Sequence, residues 1–331
     1  MKGVVYKSTG NWCYVHTNAN VIYRCNIKGK FRNLNIKSTN PVAVGDHVIF
    51  DITNQDKKEG VINKIEYRKN YIIRKSVNLS KQTQIIASNI DCCFLFVTPS
   101  NPSTSALFID RVLVSTEAFG IETIVLFNKV DIYNEKDLNY VDKLFKIYTK
   151  IGYKCLKISV KNGLNIEKVE AQIINKVSVF TGHSGVGKTS LMNILNPELN
   201  LRTSETTKQH EQGKHTTTFA EMFDFQNGAK IIDSPGLKGF GLTEIEKNEI
   251  GLYFREIEKL RHKCKFNNCL HLNEPNCAIK SVHSIRKKYP LPLRPCQIYF
   301  FCSKCRSKVI QEILHSLKNL QDDLNLLCEP F

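Results

Sequence analysis

No stretch of the 331-residue chain reaches the ~18 to 20 consecutive apolar residues that a membrane span needs. Residues 1–6 do not lead into the apolar core of a secretion signal either. No membrane partner is therefore expected, and the protein should be soluble and cytoplasmic. Internal repeats and long low-complexity linkers are also lacking, so neither a solenoid nor a tethered array is expected. Acidic residues are in deficit, 31 against 47 Lys and Arg, which leaves a formal charge of +16. Such a surface attracts polyanions and favours a nucleic-acid partner. Part of the excess reflects a chain loaded with Lys, Asn and Ile. Of the twelve cysteines, three crowd into residues 264–277 beside a histidine. Clustering of that kind in a reducing compartment reads as metal ligation, not as a disulfide framework.

Length and pattern divide the chain into three units. Residues 1–70 carry short strand-like runs at 12–15, 21–25, 47–52 and 61–67, broken by turn residues, which suggests a small OB-type barrel that binds RNA. Residues 71–240 alternate apolar strands (91–98, 123–127, 154–159, 177–181, 219–225, 230–232) with amphipathic helices (105–119, 135–150, 166–174, 188–195). This is the pattern of a doubly wound α/β nucleotide domain. Residues 241–331 open with one expected helix, 244–261, followed by the cysteine cluster and a mixed tail.

Within the α/β unit, Gly182-His183-Ser184-Gly185-Val186-Gly187-Lys188-Thr189 fits G-x-x-x-x-G-K-[ST] between an apolar strand and the helix that begins Ser190-Leu191. Strand, loop and helix together supply what phosphate binding needs: backbone N–H groups freed by glycine and a helix N-terminus. Lys188 should reach the β and γ phosphates, and Thr189 should offer its hydroxyl to Mg²⁺. Asn128-Lys129-Val130-Asp131 ends another apolar strand, in the crevice where open α/β sheets bind ligands. Asp131 can accept from guanine N1–H and N2–H₂, donors that adenine lacks. Alone, the tetrapeptide also suits a surface turn. Its pairing with Ser159-Val160-Lys161-Asn162-Gly163 after the next strand favours a guanine site, in which the Val160 N–H meets guanine O6 and Asn128 bridges to the phosphate loop.

Asp233-Ser234-Pro235-Gly236 supplies D-x-x-G, with Asp233 toward Mg²⁺ and the Gly236 N–H toward the γ phosphate. Leu237 stands where many GTPases carry a water-orienting glutamine. Residues 213–218 (GKHTTT) occupy the place of the first switch. Thr216 or Thr217 can complete the Mg²⁺ shell there. His215 can orient water, and a structural or partner-contacting role stays open beside that one. Cys264-x4-Cys269-x-His271-x5-Cys277 matches a closed, structural Cys₃His zinc site. Cys296, Cys302 and Cys305 read as a half-site or, preferentially, as plain thiols.

The order is the unusual part: the guanine loop precedes the phosphate loop, and D-x-x-G comes last. Taken in this order, the motifs resemble the circularly permuted GTPases of the RsgA (YjeQ) family over about residues 1–280. The resemblance implies an OB domain, a permuted G domain and a helical zinc domain. It implies a monomer that hydrolyses GTP, stimulated by the small ribosomal subunit, during subunit maturation, with the water-positioning histidine at His215. Val160 replaces the usual alanine, and the tail after about 282 departs from the family's helical end. An RNA-binding adaptor with a slow or inactive nucleotide switch is the alternative.

Overall fold

The computed structural model describes residues 1–9, 12–28, 41–75, 83–202, 219–234, 245–246, 249–271 and 274–281. Five strands open the chain: β1 (Lys2–Ser8), β2 (Cys13–His16), β3 (Ile22–Ile27), β4 (His47–Asn54) and β5 (Glu59–Ile65). They run in the order β1-β2-β3-β5-β4 and close through a β1–β4 pairing, with β3 and β5 parallel. The result is the OB-type barrel expected from sequence. Alternation builds it, because Cys13 and Val15 of β2 and Tyr23 and Cys25 of β3 point inward to meet Val5, Val48, Phe50 and Ile62.

Strand β1 was not expected, and the reason is physical. Its residues do not simply alternate between core and solvent, since Val5 enters the barrel core while the adjacent Tyr6 enters the core of the next unit. A register shift between Val5 and Lys7 accompanies this double burial. The hairpin of β6 (Tyr71–Lys75) and β7 (Thr83–Ser88) was likewise unexpected. It bridges barrel and sheet. There Asp46 is buried at 0% exposure and held by Arg68 through Oδ1 and Oδ2 at 2.6 Å, Ser88 Oγ at 2.7 Å and the Ala43 N–H at 2.8 Å. A buried carboxylate requires such saturation, because removing one partner strands the charge at a cost of about 3–5 kcal/mol.

The α/β layer follows as β8 (Cys92–Val97), α1 (Ala106–Ala118), β9 (Glu122–Phe127), α2 (Glu135–Ile151), β10 (Lys154–Lys157), α3 (Ile166–Ile173), β11 (Val177–Thr181), α4 (Lys188–Leu195), β12 (Glu221–Asp224) and β13 (Lys230–Asp233). The strand order is β10-β9-β8-β11-β13-β12, parallel throughout except for the antiparallel β12. Every residue of the central β8 is buried, as a strand covered on both faces must be. One face packs Ile109, Val112, Val141, Leu144 and Tyr148 of α1 and α2, and the other packs Val169, Ile173, Leu191 and Met192 of α3 and α4. Helix starts are fixed by Ser105, whose side chain accepts from the Phe108 N–H, and by Asn134, which accepts from the Asp137 N–H.

The single helix expected over 244–261 is broken. Among the described residues, a 3-10 turn (Ile250–Tyr253) is followed by α5 (Arg255–Arg261), with Phe254 between them in extended geometry at φ −98°, ψ 108°. Tertiary burial overrides helical continuity. Ile245 and Ile250 pack on Val114 of α1, and Arg255 ties the segment to Glu117 at 2.6 Å and to the Gly152 carbonyl at 2.6 Å. No described helix is long and apolar enough to cross a membrane. The tail with Cys296, Cys302 and Cys305 lies outside the described residues.

Candidate active site and metal centre

Parallel strands deliver their loops to one edge of the sheet, and here β9, β10, β11 and β13 are followed within two residues by Asn128, Ser159, Gly182 and Ser234. The phosphate loop depends on left-handed backbone. Gly182 sits at φ +146° and Gly187 at φ +101°. A Cβ at Gly182 would lie 2.8 Å from the Phe96 carbonyl oxygen, and one at Gly187 would lie 2.4 Å from Asn128 Nδ2. Neither position can hold a side chain without displacing backbone or the guanine-side loop. Gly185 is also left-handed, at φ +81°.

Asn128 joins three loops. It is 1% exposed, donates from Nδ2 to the Val186 carbonyl at 2.8 Å, and accepts at Oδ1 from the Lys129 N–H at 2.7 Å and the Val160 N–H at 3.2 Å. The expected bridge from Asn128 to the phosphate loop is present. The Val160 N–H, expected to face guanine, is engaged by Asn128 in this structure. Ser159 is fully buried and donates to Asp131 Oδ1 at 2.6 Å, so the exposed carboxylate is aimed by a fixed hydroxyl. Val130 donates its N–H to the Ile158 carbonyl, and Ser159 Oγ also accepts from the Asn162 N–H.

Sequence reasoning missed three supports of this site. Lys129, at φ +66°, donates from Nζ to the Asn101 carbonyl at 2.6 Å. The Tyr133 hydroxyl donates to the Asn128 carbonyl at 2.7 Å, and the Phe108 ring packs on His183 of the phosphate loop, tilted by 30° with centroids 4.2 Å apart. The turn residues Pro99 to Pro102, after a buried strand, were the one signal for the first. Burial pushes the Lys129 ammonium below its ordinary range, and Asp131 partly opposes the shift. Burial pushes the Tyr133 hydroxyl upward.

Lys188 is 8% exposed and donates to the carbonyls of Gly182 at 3.1 Å and His183 at 2.9 Å. Burial pulls its ammonium down to about 8, with the charge of Asp233 opposing. Asp233 is 4% exposed, and it stands opposite Phe180 in the β11–β13 register. Ser234 Oγ donates to the Phe180 carbonyl at 2.9 Å. The buried carboxylate of Asp233 and the Thr189 hydroxyl are oxygen donors of the kind Mg²⁺ takes, and the Lys188 ammonium at the helix N-terminus supplies positive charge for phosphates beside them. Thr189 and Ser190 lie in the first turn of α4 and are partly exposed. His215, Thr216, Thr217 and Gly236 lie outside the described residues.

Farther along, the ligand atoms of Cys264, Cys269, His271 and Cys277 all lie within 4.8 Å of one another. His271 Nδ1 is 3.6 Å from Cys264 Sγ and 3.4 Å from Cys277 Sγ. Tetrahedral zinc with its usual bond lengths has ligand–ligand edges of about 3.5–3.8 Å, so the cluster fits such an ion. Around it, Leu270 donates its N–H to Glu274 and Lys280 donates its N–H to Cys277 Sγ. These four residues can hold a metal ion.

Comparison with known proteins bears on the motif order directly. Residues 2–62 match the RsgA N-terminal domain and residues 65–243 match the RsgA GTPase domain. The chain belongs to the RsgA GTPase family. It is therefore a GTP hydrolase. The small ribosomal subunit biogenesis GTPase RsgA of Christiangramia forsetii is 56% identical over 281 residues, covering 85% of this chain and 89% of its own. RsgA 2 of Bacteroides thetaiotaomicron is 50% identical over 280 residues, 85% of this chain and 90% of its own. The crystal structure of YjeQ from Thermotoga maritima superposes with a TM-score of 0.66 at 33% identity, covering 86% of this chain and 92% of that one. YloQ, described as a circularly permuted GTPase, gives 0.62 at 26% identity over 96% and 95%. The permuted RsgA architecture thus explains why the phosphate loop follows the guanine loop in the chain yet lies beside it in space.

Proposed function

We propose that the protein binds the small ribosomal subunit and its rRNA, assists or checks late subunit maturation, and hydrolyses GTP to GDP and phosphate on the way to release. The observation that carries the nucleotide-binding part is Asn128, which ties the NKxD, Val160 and phosphate loops into one site. The ribosomal part is supported by the relatives, which are small ribosomal subunit biogenesis GTPases by name. The protein acts as a cytoplasmic monomer on this reading. Its units are an RNA-binding barrel over 1–70, a permuted G domain over 71–240 and a zinc-binding unit over 241–331, with Cys264, Cys269, His271 and Cys277 holding structural zinc.

In this scheme Asp131 accepts from guanine N1–H and N2–H₂, the Lys129 stem lies against the base, and guanine O6 competes with Asn128 for the Val160 N–H. The loop from Gly182 to Gly187 wraps the phosphates, and Lys188 reaches the β and γ oxygens. Thr189 and Asp233, with Thr216 or Thr217, hold Mg²⁺, whose charge offsets that developing on the phosphates. The Gly236 N–H faces the γ phosphate. His215 orients the attacking water, taking the place of the glutamine that Leu237 displaces. Barrel residues such as Arg24, which lies 4.2 Å over Trp12, supply cationic and aromatic surface for RNA.

The test is GTP hydrolysis by wild type and His215→Ala, alone and with purified small or large subunits. Small subunits should raise the wild-type rate about a hundredfold or more, the range that acid-base and positioning groups supply (~10² to 10⁴-fold), and large subunits should not. His215→Ala should bind GTP normally and lose the stimulation. No response to either subunit would favour the RNA-binding adaptor with an inactive switch.

A further inference from the structure

The barrel and the phosphate site share one row of residues. Lys7 of β1 stands opposite Glu221 of β12, and Glu221 stands opposite Asp233 of β13. Asp233 in turn stands opposite Phe180, two residues before Gly182 of the phosphate loop. Two strand spacings, about 10 Å, separate the barrel lysine from the carboxylate assigned to Mg²⁺. Residues directly opposite on neighbouring strands project from one face, so their side chains interact. Lys7 Nζ indeed meets Glu221 Oε2 at 2.8 Å, with both side chains 35% exposed.

A second contact locks the other end of the short β12. The Tyr6 hydroxyl donates to Asp224 Oδ1 at 2.8 Å and accepts from Lys230 Nζ at 2.5 Å, while Lys230 also pairs with Asp224. Tyr6 stacks on His16 at 3.6 Å and is itself buried in the α/β core. The strand between the first-switch segment and Asp233 is therefore gripped by the barrel at both ends.

We propose that the barrel is a positioning element for hydrolysis. Lys7 and Glu221 hold β12 and β13 in the register that sets Asp233 against the phosphate loop. They are positioning residues, acting through Asp233, and the inference rests on the reading of Asp233 as the Mg²⁺-side carboxylate. Anything that pulls on the barrel would then be felt at the phosphate site without passing through the zinc unit.

The experiment is a charge-swap cycle in the full chain: Lys7→Glu, Glu221→Lys and the double variant. The readouts are the Mg²⁺ concentration for half-maximal GTP hydrolysis, kcat and KM for GTP, and Tm. Each single variant should raise the Mg²⁺ requirement about threefold, the size expected for a pair of this exposure, and leave KM within about twofold. The double variant should recover to near wild type. A direct electrostatic effect of residue 221 on the ion would persist in the double variant, so absence of recovery overturns the proposal. Unchanged Mg²⁺ dependence in the single variants overturns it too. If charge reversal unfolds the chain, Lys7→Met and Glu221→Gln are held to the same Mg²⁺ criterion. Asp233→Asn separates the two levels. If it leaves the Mg²⁺ requirement unchanged, the reading of Asp233 fails and takes the proposal with it; if it raises the requirement while the Lys7 and Glu221 variants do not, only the proposal fails.

Discussion

The nucleotide site and the cysteine cluster hold their chemical groups in opposite ways. At the nucleotide site, buried backbone and side chains do the positioning. Asn128, Ser159 and Lys188 are all nine-tenths or more buried and bonded to main chain or to one another's loops. The cluster follows the seven-residue α5, and three of its four ligands are partly exposed. Core packing fixes the described residues of the first site. The second rests on four side chains that can hold a metal ion. One chain can thus contain a site held by core packing and a site whose order, on the zinc reading, would depend on its metal.

That contrast can be broken most sharply by removing the metal. Structural zinc contributes about 10 kcal/mol or more to small metal sites, so chelation or Cys277→Ser should abolish ordered structure around residues 264–281. Hydrogen exchange should show the loss there, while the α/β core keeps its protection and its melting temperature. Simultaneous collapse of both regions would show that they are not independent.

Next in size is Lys188→Ala. Loss of two charge-assisted bonds to phosphate, each worth about 1.5–3 kcal/mol, should weaken GDP and GTP binding by about a hundredfold or more, read by calorimetric titration. Asn128→Ala should come close behind. It leaves the Val186 carbonyl and the Val160 N–H unmatched in a buried place, at about 1–3 kcal/mol each, and should lower both nucleotide affinity and Tm.

A smaller effect should follow pH. In the free protein burial holds the Lys188 ammonium at about 8, below its ordinary value, and bound phosphates raise it again. Binding above pH 8 must therefore take up a proton, and affinity falls as pH rises. The expected loss between pH 7 and pH 9 is about tenfold, and it should vanish in Lys188→Ala. Smallest is Arg255→Ala. Its side chain is 30% exposed in the pair with Glu117, so release of the segment 250–261 from α1 should cost about 1 kcal/mol, seen as faster local exchange with unchanged GTP binding.

The same contrast explains what the sequence made legible. Motifs of the nucleotide site follow apolar strands, and the glycines that shape them have no substitute, so Gly182 to Thr189 and Asn128 to Asp131 could be placed on strand ends without a structure. The ligands of the cluster were legible through spacing alone. Hidden were features set by long-range packing. Strand β1 has Val5 and Tyr6 buried in different cores, which hides its alternation. The break at Phe254 comes from docking on α1, and the local pattern around Gly251 gave only a weak hint of it. Asn101 and Tyr133 support the guanine loop from neighbouring turns, and neither belongs to a motif.

The most direct test of the account is base discrimination by the preformed site, measured as GTP and ATP affinities of wild type and Asp131→Asn at fixed Mg²⁺. With Asp131 aimed by Ser159, wild type should prefer GTP by roughly 10⁴-fold, and the Asp131→Asn preference should fall by at least a hundredfold of that. Equal preference for GTP in the two proteins would contradict the assignment of Asp131 as the base-reading carboxylate.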